Sequence, residues 1–354
     1  MNRICALFLT LAVSVSAARA DVHVLVATLP DGGYWAKAAS VAINMQIFRT
    51  LRKQGDRGEV FPDAEIIVNP PTTPVTDDAS AERAARLAEN TASIAVWGNI
   101  YEFPGEVVIS PVITVLPNRY FREDSELFEQ WRIGVGTNQL SLGLPRSSYS
   151  LKLIRVPNQF IDAYSQPNSL PIYERATTES RRLGAVEQYP IKALEVHENW
   201  IKIRRQSPDP IEGWLATPDL GRGDDELVNF VGGLIRTFRG DWRGADQLFT
   251  QVKRSDGGTA AVKADASLLQ LRMRAQQGAD TSELAGAVTR DLPNSITALQ
   301  YVYMASLSEC SRAPSNRCAE VNKDLVARLQ SKIELLPPGD PWLAATVRQM
   351  DQQK

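Results

Sequence analysis

Val22-His23-Val24-Leu25-Val26-Ala27-Thr28-Leu29-Pro30-Asp31-Gly32-Gly33-Tyr34-Trp35 sets the reading of the chain. Its first six residues are a short run rich in β-branched side chains, with the length and composition of a strand. Pro30, Gly32 and Gly33 then punctuate a turn. Beyond it Trp35, Ala38, Ala39, Ala42, Ile43, Ile47 and Leu51 recur at the spacing of one helix face as far as Lys53, and Gly55 and Gly58 follow. A strand, a tight turn and a long helix in that order open an α/β unit.

Toward the N-terminus, Arg3 precedes an apolar stretch from Ile4 to about Ala17, which ends in the small-x-small triplet Ala18-Arg19-Ala20. That is the pattern of a secretory signal peptide, so residues 1–20 are expected to be removed after Ala20. The apolar stretch falls short of the roughly 20 residues that cross a bilayer. Cys5 lies inside it and not at the cleavage point, so it offers no acylated mature N-terminus. The expected location is the periplasm, with secretion as the second choice. Cleavage takes Arg3 and Arg19 from 39 basic and 41 acidic residues, leaving 37 against 41, a net charge of −4. No basic tract stands out, and nucleic acid is not an expected partner. The mature chain is expected to have no membrane span.

Toward the C-terminus the α/β alternation continues through a strand at Glu65 to Val68, a proline-rich loop and a helix entered at Asp77-Asp78, where carboxylates cap and complement the helix N-terminus. Strands follow at Ser93 to Trp97, ending at Gly98, and at Glu106 to Leu116, Phe128 to Val135 and Tyr149 to Val156. This is an α/β domain with a mixed sheet over residues 21–157. Ile94-Ala95-Val96-Trp97-Gly98-Asn99-Ile100 with Gly105-Glu106-Val107-Val108-Ile109-Ser110 resembles the N-terminal domain of TolB-type envelope proteins. That resemblance implies a strand ending in glycine, a hairpin, and a next strand along the sheet edge.

Residues 160–222 change character, with short strand candidates at close intervals that argue for a small β-barrel. Leu170-Pro171-Ile172-Tyr173, Leu183-Gly184-Ala185-Val186, Ile191 to Val196, Asn199-Trp200-Ile201-Lys202-Ile203 and Gly213-Trp214-Leu215 resemble the bacterial SH3 family. The first strand departs from it, with Pro171-Ile172-Tyr173-Glu174 in place of asparagine-valine-arginine. In that fold Tyr173, Tyr189, Trp200 and Trp214 would lie on or beside strands framing a groove for peptide or glycan. The alternative is that the tryptophans pack the barrel core.

Residues 224–354 read as helical. Gly233, Gly240-Asp241-Trp242, Ala245 and Phe249 have the spacing of a tetratricopeptide repeat. Two further hairpins, Thr259 to Arg290 and Asn294 to Leu335, keep the helical period without the motif, and a short helix after Asp340-Pro341-Trp342 would cap the stack. The segment resembles a degenerate tetratricopeptide array; an ordinary helical bundle is the alternative. The fold class expected is thus multidomain: an α/β domain with a mixed sheet, an SH3-like β-barrel and a C-terminal all-α array of hairpins. Cys310 and Cys318, at the turn of the last hairpin, read as a disulfide in an exported chain. Two free thiols or a metal clip are the alternatives, and the clip lacks nearby ligands.

No catalytic set, cofactor site or metal site stands out. Asp31-Gly32-Gly33 lacks the lysine and hydroxyl of a P-loop and the spacing of a dinucleotide fingerprint. His197 lies in a predicted turn between Glu195 and Glu198, where solvated charges are ordinary. Asp77-Asp78 and Asp224-Asp225 both sit where helices begin. The expectation is a non-catalytic adaptor of the cell envelope, with envelope proteins docking on the helical array and peptidoglycan peptide or glycan as a further ligand. The competing expectations are an envelope hydrolase or peptidoglycan-modifying enzyme with its site in the N-terminal domain, and a purely structural secreted protein.

Overall fold

A computed structural model of the chain describes residues 22–30, 32–53, 64–69, 74–87, 92–116, 131–135, 138–186, 191–205, 209–216, 225–313 and 316–332. The expected signal segment, Tyr189 and the helix expected after Trp342 lie outside these residues.

β1 (Val22–Ala27) is central, with β2 (Ala64–Asn69) parallel on one side and β3 (Ile94–Phe103) parallel on the other. Between them run α1 (Gly33–Lys53) and α2 (Asp78–Leu87). Gly33 enters α1 at φ +59, and a Cβ on Gly32 would meet the Ala36 Cβ at 2.3 Å and Ile100 at 2.9 Å. The turn therefore needs its glycines for backbone conformation and close approach. Alternation along β1 sends Val22, Val24 and Val26 into a core with α1, and Leu25 and Ala27 to the opposite face under Ala81 and Ala85 of α2. Asp77 caps α2 by accepting the Ser80 N–H at 2.6 Å, and Ser80, through its side chain first and its backbone N–H second, holds the Asp77 carboxyl below the usual range. Its neighbour Asp78 accepts from Thr114 and Ser148 Oγ, both at 2.8 Å, tying the helix start to the sheet.

β3 does not stop at Gly98. It runs on to Phe103 and turns at Gly105 into β4 (Glu106–Val115). Gly98 marks a tight approach instead, since a Cβ there would lie 2.6 Å from the Ser110 carbonyl oxygen. β4 is not an edge strand either: β7 (Ser148–Ser150) and β8 (Ile154–Pro157) both pair with it. The single strand expected from Tyr149 to Val156 is broken opposite Ser110-Pro111, where proline has no N–H to give. β5 (Trp131–Val135) and β6 (Asn138–Leu142) form a separate two-stranded ribbon, and a short α3 (Asn158–Tyr164) follows β8.

The five short strands of the expected barrel are present: β9 (Pro171–Tyr173), β10 (Arg182–Ala185), β11 (Ile191–His197), β12 (Trp200–Arg205) and β13 (Ile211–Ala216). They do not close a barrel among the described residues. β11 pairs antiparallel with β2 through Ile191↔Val68 and Lys192↔Ile67, giving one 11-stranded sheet in the order β10-β9-β13-β12-β11-β2-β1-β3-β4-β7, with β8 also on β4. The outer edge of β2 would otherwise leave backbone groups unpaired, and β11 satisfies it.

The helices are α4 (Asp225–Phe238), α5 (Trp242–Arg254), α6 (Ala260–Gln277), α7 (Ser282–Asp291), α8 (Ile296–Arg312) and α9 (Asn316–Gln330). Gly233 lets α4 approach α5, since a Cβ there would meet the Phe249 ring at 2.6 Å, and Ala245 and Phe249 are fully buried. α4 also seals α1. Arg236 donates to the Leu51 carbonyl oxygen at 3.0 Å and pairs with Asp241, while Phe230 packs on Tyr149 at 4.7 Å between ring centroids. A second core joins α6 to α9 and takes in Trp131 of the ribbon, whose ring lies 5.9 Å from that of Tyr301. Cys310 and Cys318 form the expected disulfide between α8 and α9. No helix of the described residues is long and apolar enough to cross a membrane.

Candidate binding face

Period-two alternation in β9, β12 and β13 divides their side chains sharply. Ile172, Ile201, Ile203 and Leu215 point into the main core and are buried. Tyr173, Trp200 and Trp214 point the other way and are only half-buried. Register brings them together: Lys202 on β12 stands beside Trp214 on β13, which stands beside Tyr173 on β9. Trp200, two residues before Lys202, shares their face. The Tyr173 and Trp200 rings meet edge-on with centroids 5.7 Å apart, and the exposed His197 ring meets Trp214 edge-on at 6.4 Å.

Charge borders these rings on one side. Glu212 accepts from Lys202 Nζ at 2.6 Å and Arg204 Nη2 at 3.0 Å. Those two hydrogen bonds, Lys202 first, hold its carboxyl below the usual range. The hairpin between β11 and β12 turns through Glu198 at φ +49, and Arg49 of α1 donates to the Glu198 carbonyl oxygen. Sequence reasoning left the tryptophans between groove and core. Isoleucine and leucine fill the core, and the aromatics form a shelf on the outer face of the sheet. Aromatic faces of this kind stack against sugar rings and apolar side chains, and the ion-paired trio beside them offers hydrogen-bond partners.

Comparison of the chain with family models, curated proteins and solved structures found no match. The site is therefore read from its chemistry alone. Among the described residues no group of three or more His, Cys, Asp or Glu is placed to hold a metal ion.

Two buried carboxylates escaped the sequence reading. Glu226, at the start of α4, is fully buried and accepts the backbone N–H of Lys152 at 2.6 Å and of Thr259 at 2.9 Å. Burial pushes its carboxyl up. Asp265 of α6 is raised for the same reason and pairs with Arg146 at 2.5 Å beside a cavity of about 320 Å3. Both tie the chain around β7 to the helices. Apart from the place of Glu226 beside the helix start at Asp224-Asp225, nothing in their local sequence pattern separates them from solvated acids.

Proposed function

We propose that the chain is a non-catalytic binding or adaptor protein of the bacterial cell envelope. In this reading residues 1–20 direct export and are removed, and the mature protein works in the periplasm. β9 to β13 serve as an SH3-like module that takes cell-wall peptide or glycan on its aromatic shelf, and α4 to α9 serve as a tetratricopeptide-like array that docks an envelope protein. The TolB-type likeness of the N-terminal unit suits the same compartment.

The observation that carries this reading is the outward placement of Tyr173, Trp200 and Trp214 together on strands whose core is already filled by Ile172, Ile201, Ile203 and Leu215. Large aromatics left half in water forgo burial that would stabilise the fold, and they are favoured where a ligand completes that burial. The test is titration of the mature full-length chain with soluble disaccharide-peptide fragments of peptidoglycan, followed by tryptophan fluorescence. Saturable binding is expected, weakened about tenfold or more by the double substitution Trp200→Ala, Trp214→Ala. Circular dichroism would confirm that the variant is folded. Absence of binding at millimolar fragment, or equal binding by the variant, would remove the shelf as the site.

A further inference from the structure

α7, α8 and α9 border a groove of about 910 Å3 at the end of the helical segment. Its floor is apolar, formed by Ala285, Val302 and Leu325, and Val321 on its lip is 41% exposed. Its rim is acidic. Asp280, Glu309, Glu320 and Asp324 line it, and among the described residues Arg328 is the one cation that lines it with them. No salt bridge joins any of these four carboxylates to a cation among the described residues. Asp280 accepts the Ser282 N–H, which holds its carboxyl below the usual range, and the Glu309 carboxylate accepts the Thr281 hydroxyl at 3.3 Å. Like charges gathered around an apolar trough repel one another, and a cationic occupant relieves that repulsion.

The dimensions suit a helix. From Cys318 to Arg328, α9 borders the groove over eleven residues, ten helical steps or about 15 Å and close to three turns. The disulfide pins α8 to α9 at one end, with Cα atoms 5.7 Å apart, so the groove is formed before anything enters it. We propose that this groove binds a basic amphipathic helix of a partner protein, with an apolar stripe at i, i+3, i+4, i+7 on the floor and lysines or arginines on its flanks meeting the rim. The chain's own residues 333–354 are a poorer occupant, since Glu334, Asp340 and Asp351 outnumber Arg348 and Lys354 there. The proposal rests on the reading of the helices as a docking array, and it is independent of the aromatic shelf.

The experiment uses the mature full-length protein and two synthetic helical peptides with the same leucine stripe, one flanked by lysines and one by glutamates. Fluorescence anisotropy should show saturable binding of the lysine peptide, weakening as salt rises, and no binding of the glutamate peptide. Reversal at Glu320→Lys with Asp324→Lys should weaken binding about tenfold or more, while Glu195→Lys with Glu198→Lys, on the β11–β12 hairpin, should leave it unchanged. Equal losses from both reversals would mean diffuse attraction and overturn the proposal, as would equal binding of the two peptides. Loss of lysine-peptide binding in the Trp200→Ala, Trp214→Ala protein would move the site to the shelf and also overturn it, whereas retention separates the two sites. Higher affinity after removal of residues 333–354 would assign the groove to that segment. A concentration-dependent dimer abolished by Val321→Asp would assign it to a second copy. Either result would overturn the proposal.

Discussion

Glu226 shows how one side chain can hold distant parts of the chain. Its two oxygens accept N–H groups from Lys152 and Thr259, and a Cβ on Gly258 would sit 2.5 Å from one of them, so the glycine leaves room for the carboxylate. In Glu226→Gln, one oxygen remains to accept, and the amide NH2 faces the other donor. A loss of about 1–3 kcal/mol is expected from the unpaired N–H. The pH dependence has a definite sign. Because burial raises the folded-state value above the ordinary 4.5, the native state binds the proton more tightly than the unfolded chain does. That contribution to stability is present at low pH and fades as pH rises through the raised value. Glutamine has no such titration, so the gap between wild type and variant should narrow from pH 4 to pH 7 in urea unfolding. A gap that widens would mean that hydrogen bonding outweighs burial. The neighbouring Gly233, by contrast, was legible in the sequence, because small residues facing aromatics at helical spacing have few other uses.

At the scale of elements, the sequence marked strands and helices better than their partners. Period-two and helical patterns are local and survive in any tertiary setting, so β11, β12, α4 and α5 stand close to where they were expected. The pairing of β2 with β11 joins segments far apart in the chain, and no local pattern specifies which edge meets which. The same limit hid the docking of the β5–β6 ribbon on α8, where Tyr301 donates to the Gly143 carbonyl oxygen at 2.7 Å. The site was legible only in part: the SH3 resemblance put Tyr173, Trp200 and Trp214 on or beside strands framing a groove and left core packing open for the tryptophans, and only the packing revealed that all three stand half-buried on one face. The α8–α9 hairpin gives the element-scale prediction. Its disulfide spans a sequence separation of 8, and closing so short a loop restricts the unfolded chain by about 2.5 kcal/mol in the chain-entropy model. Cys310→Ser should therefore increase hydrogen exchange in α7, α8 and α9, lower the melting temperature of that part, and leave β11 to β13 as protected as before. Unchanged exchange in α9 would show that packing of Leu325, Val326 and Leu329 holds the hairpin unaided.

At the scale of the whole molecule, two of its cores share α6. Val262, Ala266, Leu269 and Met273 face the core of the sheet, α1, α4 and α5, while Leu268, Leu271 and Ala275 face the core of α7 to α9 and the ribbon. The place where the chain can be cut follows from this. Ending the chain at residue 223 removes α4 with the helices that follow it, which uncovers Tyr149 and Leu51, frees the Leu51 carbonyl oxygen from Arg236 and leaves the Lys152 N–H without Glu226. Uncovering the two side chains costs about 1.5–3 kcal/mol each before any hydrogen bond is counted, against a typical total of about 5–15 kcal/mol. Residues 21–223 should therefore show no cooperative thermal transition and little near-ultraviolet dichroism. Residues 21–278 keep α4, α5 and α6, and stop where Gly278 already ends α6 in the left-handed region at φ +76. That fragment should melt cooperatively, at a lower temperature than the full chain because Trp131 loses Tyr301. If residues 21–223 melt as sharply as residues 21–278, the sheet holds without the helices, and α4 is a docked neighbour instead of part of its core.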